Sequence, residues 1–206
     1  HGDGAIDPTP VVSMVGLIEK AEMVTRSSIE RGGLDLVLLG GLPHEMGGSY
    51  FLQTQYGKKE GLVPEVDLEA EARLQDLILS EIGGGRVESA HDLAEGGLLV
   101  ALVEMLFGEA PFGARVTVDQ LGPSGRLDGL LFGESQGRVV VAVEPNSTSA
   151  LLDNASKAGV PAQTLGQSDD SGELLLQVEG KAVLSADVSS LQKLWEDAIP
   201  ARMSSS

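Results

Sequence analysis

An α/β (α+β) domain built on a mixed sheet is the fold class that this sequence predicts. Three observations carry that prediction. Short aliphatic and β-branched runs alternate with segments of helical period along most of the chain, the arrangement that lays helices against a sheet. Near the end, two runs at 173–178 and 181–184 flank Glu179-Gly180, a hairpin turn signal. Apolar residues make up 42% of the 206 and aromatics 3%, so a sizeable core exists and is built from Leu, Val, Ile and Ala rather than from rings.

The elements follow in order. Residues 1–10 hold two prolines and two glycines and read as an extended lead-in, and 11–18 (VVSMVGLI) read as a strand. Arg31-Gly32-Gly33 marks a turn before a buried strand at 34–39 (LDLVLL), which Gly40-Gly41 closes. Gly47-Gly48-Ser49 opens a short helix that runs to Gln55 and stops at Gly57, with a loop at 58–64. The clearest helix spans 67–82. Asp67 is its N-cap, Glu69 and Glu71 favour the positive end of its dipole, Leu74, Leu77, Ile78 and Ile82 share a face, and Gly83-Gly84-Gly85 ends it. A short strand at 87–90, the loop HDLAEGG and a helix at 98–107 come next; that helix is apolar nearly all round and so belongs inside. A strand at 114–118, a short helix at 124–132, a strong strand at 137–143, a helix at 146–158 ended by Gly159 and a strand at 161–165 lead to the hairpin. Asp187 then caps a final helix to Ile199, with Leu191, Leu194, Trp195 and Ala198 on the face expected to dock on the sheet, and 201–206 read as a loose tail.

Charge and composition exclude several functions. The formal net charge is −17, and so acidic a surface repels nucleic acid phosphate and anionic lipid. With no Cys there is no disulfide, thiolate metal site or cysteine nucleophile, which fits a cytoplasmic protein. No apolar run reaches the length of a membrane span. The chain begins at His1 without Met, and is read as a piece of a longer protein. The 27 glycines exceed the usual share of about 7% without any G-X-Y period, which turns attention to glycine-bearing loops.

Three such loops carry candidate chemistry. Ser89-Ala90-His91-Asp92-Leu93-Ala94-Glu95-Gly96-Gly97 joins a strand to the buried helix. Free N–H groups at a helix start suit an anion, Asp92 and Glu95 are carboxylates of the kind that hold Mg²⁺, with Asp92 the metal candidate, and His91 can hydrogen-bond a ligand. The plain alternative is a capped strand–helix turn whose glycines allow tight packing. Gly133-Glu134-Ser135-Gln136-Gly137-Arg138 sets a carboxylate, a hydroxyl, an amide and a guanidinium within six residues. That set suits a polyol or phosphate ligand, or else a polar turn with an arginine ion pair. Gly40-Gly41 with Gly47-Gly48-Ser49 reads either as a flap over phosphates or as turn chemistry. His44 reads as an exposed loop residue. No P-loop, dinucleotide fingerprint, H-E-x-x-H or G-x-S-x-G is present.

In combination these motifs resemble one family, the large subunit of phosphoribosylformylglycinamidine synthase in purine biosynthesis. Ala5-Ile6-Asp7-Pro8-Thr9-Pro10-Val11-Val12 with Val15-Gly16-Leu17-Ile18 is similar to its "PTPvv…vGli" stretch, and Asp35 to Gly40 to its "D-x-x-x-LLG" strand. Gly47-Gly48-Ser49-Tyr50 resembles "GGSEY", Ser89 to Leu98 resembles "SAHDvSDGGL", Leu131 to Arg138 resembles "LFsESqsR", and Leu194-Trp195-Glu196 with Ala198-Ile199-Pro200 resembles its C-terminal tail. The resemblance covers nearly the whole chain. Where the family often has Ser-Asp, this chain has Ala94-Glu95, which weakens a metal role for Glu95.

The resemblance implies a fold of the aminoimidazole-ribonucleotide-synthetase-like superfamily in two tandem copies, each with an N and a C subdomain. Residues 1–33 would then be the lead-in and strand ending the second N subdomain, 34–200 the second C subdomain, and 201–206 its tail. It implies ATP-dependent conversion of formylglycinamide ribonucleotide to the amidine, with ATP and Mg²⁺ as cofactors and ammonia from a glutaminase partner beside a small accessory subunit. The family's principal catalytic histidine lies in the first copy, outside this chain, so no catalytic residue is expected here, and Glu134-Ser135-Gln136 is the second-copy counterpart of a substrate-contacting stretch. Two rival readings are another superfamily enzyme, such as selenophosphate synthetase or a hydrogenase-maturation dehydratase, and a non-catalytic interaction domain.

Overall fold

A computed structural model describes residues 10–21, 24–42 and 45–204. Seven strands form one mixed sheet: β1 (Asp35–Leu39), β2 (Val87–Asp92), β3 (Gly113–Val118), β4 (Val139–Val143), β5 (Ala162–Asp169), β6 (Glu173–Val178) and β7 (Lys181–Asp187). Their order is β2-β4-β1-β5-β3-β6-β7, with β3 and β6 parallel and every other neighbouring pair antiparallel. Six helices accompany it: α1 (Tyr50–Tyr56), α2 (Leu68–Gly83), α3 (Gly97–Met105), α4 (Leu127–Phe132), α5 (Pro145–Ala158) and α6 (Val188–Ser204).

Alternation along the central strand explains the layering. Leu36 and Leu38 of β1 join one core with Leu98, Leu102 and Met105 of α3 and Leu130 of α4. Val37 and Leu39 join the other with Leu74 and Leu77 of α2 and Leu151 and Ala155 of α5. Successive side chains of a strand point to opposite faces, so a strand apolar at every position is covered on both. The expected caps form: Asp67 Oδ1 accepts the Ala70 N–H at 2.9 Å, and Asp187 Oδ1 accepts the Ser190 N–H at 2.8 Å. Both carboxyls sit below their ordinary range because of those bonds, to the backbone for Asp67 and to the Ser190 hydroxyl and backbone for Asp187. The hairpin turns on Glu179 and Gly180, both at positive φ.

Three expectations are corrected. Residues 11–18 form no strand and lie exposed. A strand needs a ladder partner for its N–H and C=O groups, and these residues have none within the sheet. Residues 201–204 are not a loose tail but continue α6 past Pro200. The third concerns docking. Trp195 is 60% exposed, Leu194, Ile199 and Met203 are exposed too, and the indole leans on Phe107 with ring centroids 5.8 Å apart. α6 follows the edge strand β7 and meets the end of α3 rather than lying over the sheet. His1 and His44 fall outside the described residues, as do 1–9 of the lead-in.

At the C-terminal end of α2 the buried Glu81 carboxylate pairs with the partly exposed Arg86, an ion pair that sequence reading did not identify. Glu81 accepts from Arg86 Nε at 2.5 Å and Nη2 at 3.2 Å, and from Asn154 Nδ2 of α5 at 2.9 Å. Burial pushes the Glu81 carboxyl up, but these hydrogen bonds and the Arg86 charge outweigh it and hold it below the ordinary value of 4.5.

Two outcomes follow for stability. Trp195→Ala should cost about 1 kcal/mol, well short of the about 3–5 kcal/mol of a fully buried ring, and native indole fluorescence should be accessible to aqueous quencher. The Glu81 contribution should be complete above pH 4.5 and lost as pH falls through its lower folded value. Glu81→Gln should flatten that acid limb in denaturant titrations and lower stability by about 1–3 kcal/mol at neutral pH.

Candidate functional site

The turn at residues 133–138, between α4 and β4, is where the loops meet. Arg138 is 4% exposed. Its Nε donates to the Ser135 carbonyl at 2.9 Å and its Nη2 to the Gly133 carbonyl at 2.6 Å. Two carbonyl acceptors from one turn on one planar fork fix the path of the backbone between them. Burial draws the guanidinium down to about 10, opposed by the charges of Glu134 and Glu45, so it remains a cation at neutral pH. Among the described residues its Nη1 and the Ser135 hydroxyl have no hydrogen-bond partner. The neighbouring strands are tied to the same turn. The Leu93 N–H donates to the Arg138 carbonyl at 3.0 Å, and Gly40, at φ +98, lies so close to the Gly137 carbonyl that a β-carbon would collide with it.

Glu134 links two more loops. Its Oε1 accepts the Tyr50 N–H at 3.0 Å and the Gly96 N–H at 2.9 Å. One carboxylate oxygen thus holds the first residue of α1 against the residue that caps α3. Ser49 is buried, and its Oγ accepts the Leu52 N–H at 3.3 Å as the cap of α1. Phe51 stacks on Phe132 of α4 at 4.7 Å. Gly47 and Gly48 are turn glycines: the Gly48 N–H donates to the Glu60 carbonyl at 3.0 Å, and the backbone of Leu62 occupies the space a Gly47 β-carbon would need.

The β2–α3 loop is shorter than the sequence suggested, because His91 and Asp92 belong to β2. His91 Nδ1 lies 2.7 Å from the Asp92 carbonyl and Nε2 lies 3.1 Å from Glu104 Oε2 of α3, so both ring nitrogens have protein partners. Asp92 and Glu95 are exposed. Gly97, at φ +66, packs on the end of α4. A β-carbon there would lie 2.6 Å from the Gly133 carbonyl oxygen and 2.9 Å from the Phe132 carbonyl carbon.

These contacts make a cleft of about 380 Å³ lined by Gly47, Gly48, Tyr50, Ala94, Glu95, Glu134 and Gln136. Members of all three predicted loops therefore converge. Asp92 and Arg138 line a neighbouring cavity that shares Gln136, and His91 lines neither. Tyr50 and Glu104 were missed, because both act through pairing distant in sequence that no local pattern encodes. Among the described residues no cluster of three or more His, Asp or Glu could hold a metal ion.

The model for the AIR synthase related protein, C-terminal domain, matches residues 31–179. The chain belongs to that family. Phosphoribosylformylglycinamidine synthase subunit PurL of Moorella thermoacetica is 38% identical over 200 residues, and that of Alkaliphilus metalliredigens is 36% identical over 202. These matches take in 97% and 98% of this chain but 27% of either relative, so the chain spans about a quarter of the length of the curated relatives it matches. Thermotoga maritima PurL complexed with FGAR superposes with a TM-score of 0.73 at 25% identity, over 83% of this chain and 30% of that one; PurL complexed with ATP gives 0.67 at 25%, over 83% and 27%. The HypE–HypF complex, at 17% identity and a TM-score of 0.54 over 78% of this chain and 54% of that one, shares the fold.

The packing of this AIR-synthase-related domain makes Gly97 a test of the loop. Gly97→Val should lower stability by about 1–3 kcal/mol through backbone strain and overpacking against residues 131–133, read as a fall in the thermal midpoint. An unchanged melt would contradict the close approach.

Proposed function

We propose that the chain is the C-terminal part of a phosphoribosylformylglycinamidine synthase large subunit. That enzyme is an ATP-dependent amidoligase converting formylglycinamide ribonucleotide to formylglycinamidine ribonucleotide. The observation that carries this reading is similarity to PurL proteins across 97–98% of the chain, with the SAHD, ESQ-R and Trp-Glu stretches in family order. Residues 1–33 belong to the preceding subdomain and 34–200 to the C-terminal one. In the reaction the amide oxygen is phosphorylated by ATP, and ammonia then displaces the phosphate. Ammonia comes from a glutaminase subunit that assembles with the large subunit and a small accessory subunit, in the cytoplasm. No described helix is long and apolar enough to cross a membrane.

Within that enzyme this domain supplies one wall of a ribonucleotide-related cleft. Gly47, Gly48, Ser49, Gly96 and Gly97 shape its floor, Glu95 stands at its rim, Glu134 and Gln136 face it, and Ser135 and Arg138 hold the turn that presents Glu134 and Gln136. His91 and Asp92 position the strand beside it. ATP and Mg²⁺ act in the intact large subunit. Phosphoryl transfer needs metal, phosphate cradle and substrate aligned together, and one wall does not supply that. A scaffold role, favoured by the internal pairing of Glu134 and His91, is the second reading.

The chain assayed with ATP, Mg²⁺, ammonia and formylglycinamide ribonucleotide should give no turnover, and addition in trans of the N-terminal portion of a PurL relative should restore it. Turnover by the chain alone would overturn the reading. In the reconstituted enzyme, Gln136→Ala should reduce kcat/KM if the wall contacts ligand and leave it unchanged if the domain is scaffold.

A further inference from the structure

The geometry points to Glu134 as an internal anion that occupies the donors a phosphate would use, so that this cleft rejects phosphoryl groups and faces the hydroxyl-bearing part of a ligand. Tyr50 and Gly96 are 46 residues apart in the chain, yet their N–H groups converge on one oxygen, Glu134 Oε1, at 3.0 and 2.9 Å. Two backbone donors on one anionic oxygen is how a protein binds an external oxyanion; here the ligand is supplied by the chain. Two further amides beside the cleft are committed as well. The Gly48 N–H donates to the Glu60 carbonyl and the Leu52 N–H to Ser49 Oγ.

Charge acts in the same direction. No Lys or Arg lines the cleft, whereas Glu95 and Glu134 do. The cation closest in sequence, Arg138, spends Nε and Nη2 on the carbonyls of its own turn, and its Nη1 is buried beyond the reach of solvent. A phosphate entering here meets two carboxylates and no lining cation, and like charges at short range repel even at a protein surface. Acceptors dominate what remains: the Glu95 carboxylate, the second Glu134 oxygen and the Gln136 carbonyl, whose amide nitrogen donates to the Glu134 carbonyl at 3.3 Å, beside the Tyr50 hydroxyl, which both donates and accepts. Such a surface matches hydroxyl donors. The inference rests on the synthase reading for the identity of the ligand; the filled donors stand without it.

The test follows the Tyr50 and Gly96 amides of the ¹⁵N-labelled chain by NMR during titration with inorganic phosphate and, separately, acetate. Wild type should show no saturable shift at either amide, with salt-matched chloride as control. Glu134→Ala should show saturable shifts at both amides with either anion and a rise in Tm on anion addition. Glu134→Gln, whose amide oxygen still accepts, should show neither. A saturable phosphate shift at these amides in wild type, or none in folded Glu134→Ala, overturns the inference. If Glu134→Ala does not fold, the wild-type and Glu134→Gln titrations decide it. None of these readouts depends on the synthase assay, so the two can fail separately.

Discussion

A buried guanidinium organises this domain. Arg138 lies where β4 leaves the turn after α4, and it ties the carbonyls of Gly133 and Ser135 into a single conformation. From there the constraint spreads outward. The Arg138 carbonyl receives β2 through Leu93, the Gly137 carbonyl sits against Gly40 at the end of β1, the Gly133 carbonyl sits against Gly97 at the start of α3, and Glu134 receives α1 and the cap of α3. Desolvating a cation is expensive, and the hydrogen bonds to the charged form offset it. An amide or hydroxyl could bond one of those carbonyls, but it could not span both with a rigid fork. Lysine offers a point charge on a flexible stem and would leave the turn less defined.

Close backbone approaches answer the question of why glycine is so abundant here. At Gly40, Gly47 and Gly97 a β-carbon would meet backbone atoms of another segment, and backbone cannot move aside as a side-chain tip can. These are the positions where loops from different parts of the sheet cross. Crowding accounts for glycine at these three positions, whereas at Gly57, Gly85 and Gly180 the surrounding space is open and a positive φ accounts for it.

The fold was legible in the sequence to the extent that local chemistry decides it. Strands buried on both faces appear as unbroken aliphatic runs, as in Leu36 to Leu39 and Val139 to Val143, and caps such as Asp67, Ser49 and Asp187 announce helix starts through side chains that bond backbone three residues on. Partner choice was not legible. The pattern of residues 11–18 describes a strand but not whether an adjacent edge exists for it, and the stripe of Leu194, Trp195 and Ala198 describes an apolar face but not what lies opposite. Both are exposed for that reason. The loops that form the cleft were identifiable because each carries glycines and polar groups together. Their convergence through Glu134 was not, since the Tyr50 and Gly96 pairings span 84 and 38 residues.

The same polar groups that attract a functional reading are those the fold consumes. His91 spends its ring between the Asp92 carbonyl and Glu104, Glu134 spends Oε1 on two amides, and Arg138 spends Nε and Nη2 on its own turn. A residue so committed is preorganised and no longer free to reorganise around a ligand. What stays available, Glu95 and Gln136 at the rim, is exposed and acceptor-rich. A site assembled this way holds shape well and charge poorly. Such a surface positions a neutral, hydroxyl-bearing group better than an anionic one, and the strongly acidic composition of the chain acts in the same direction.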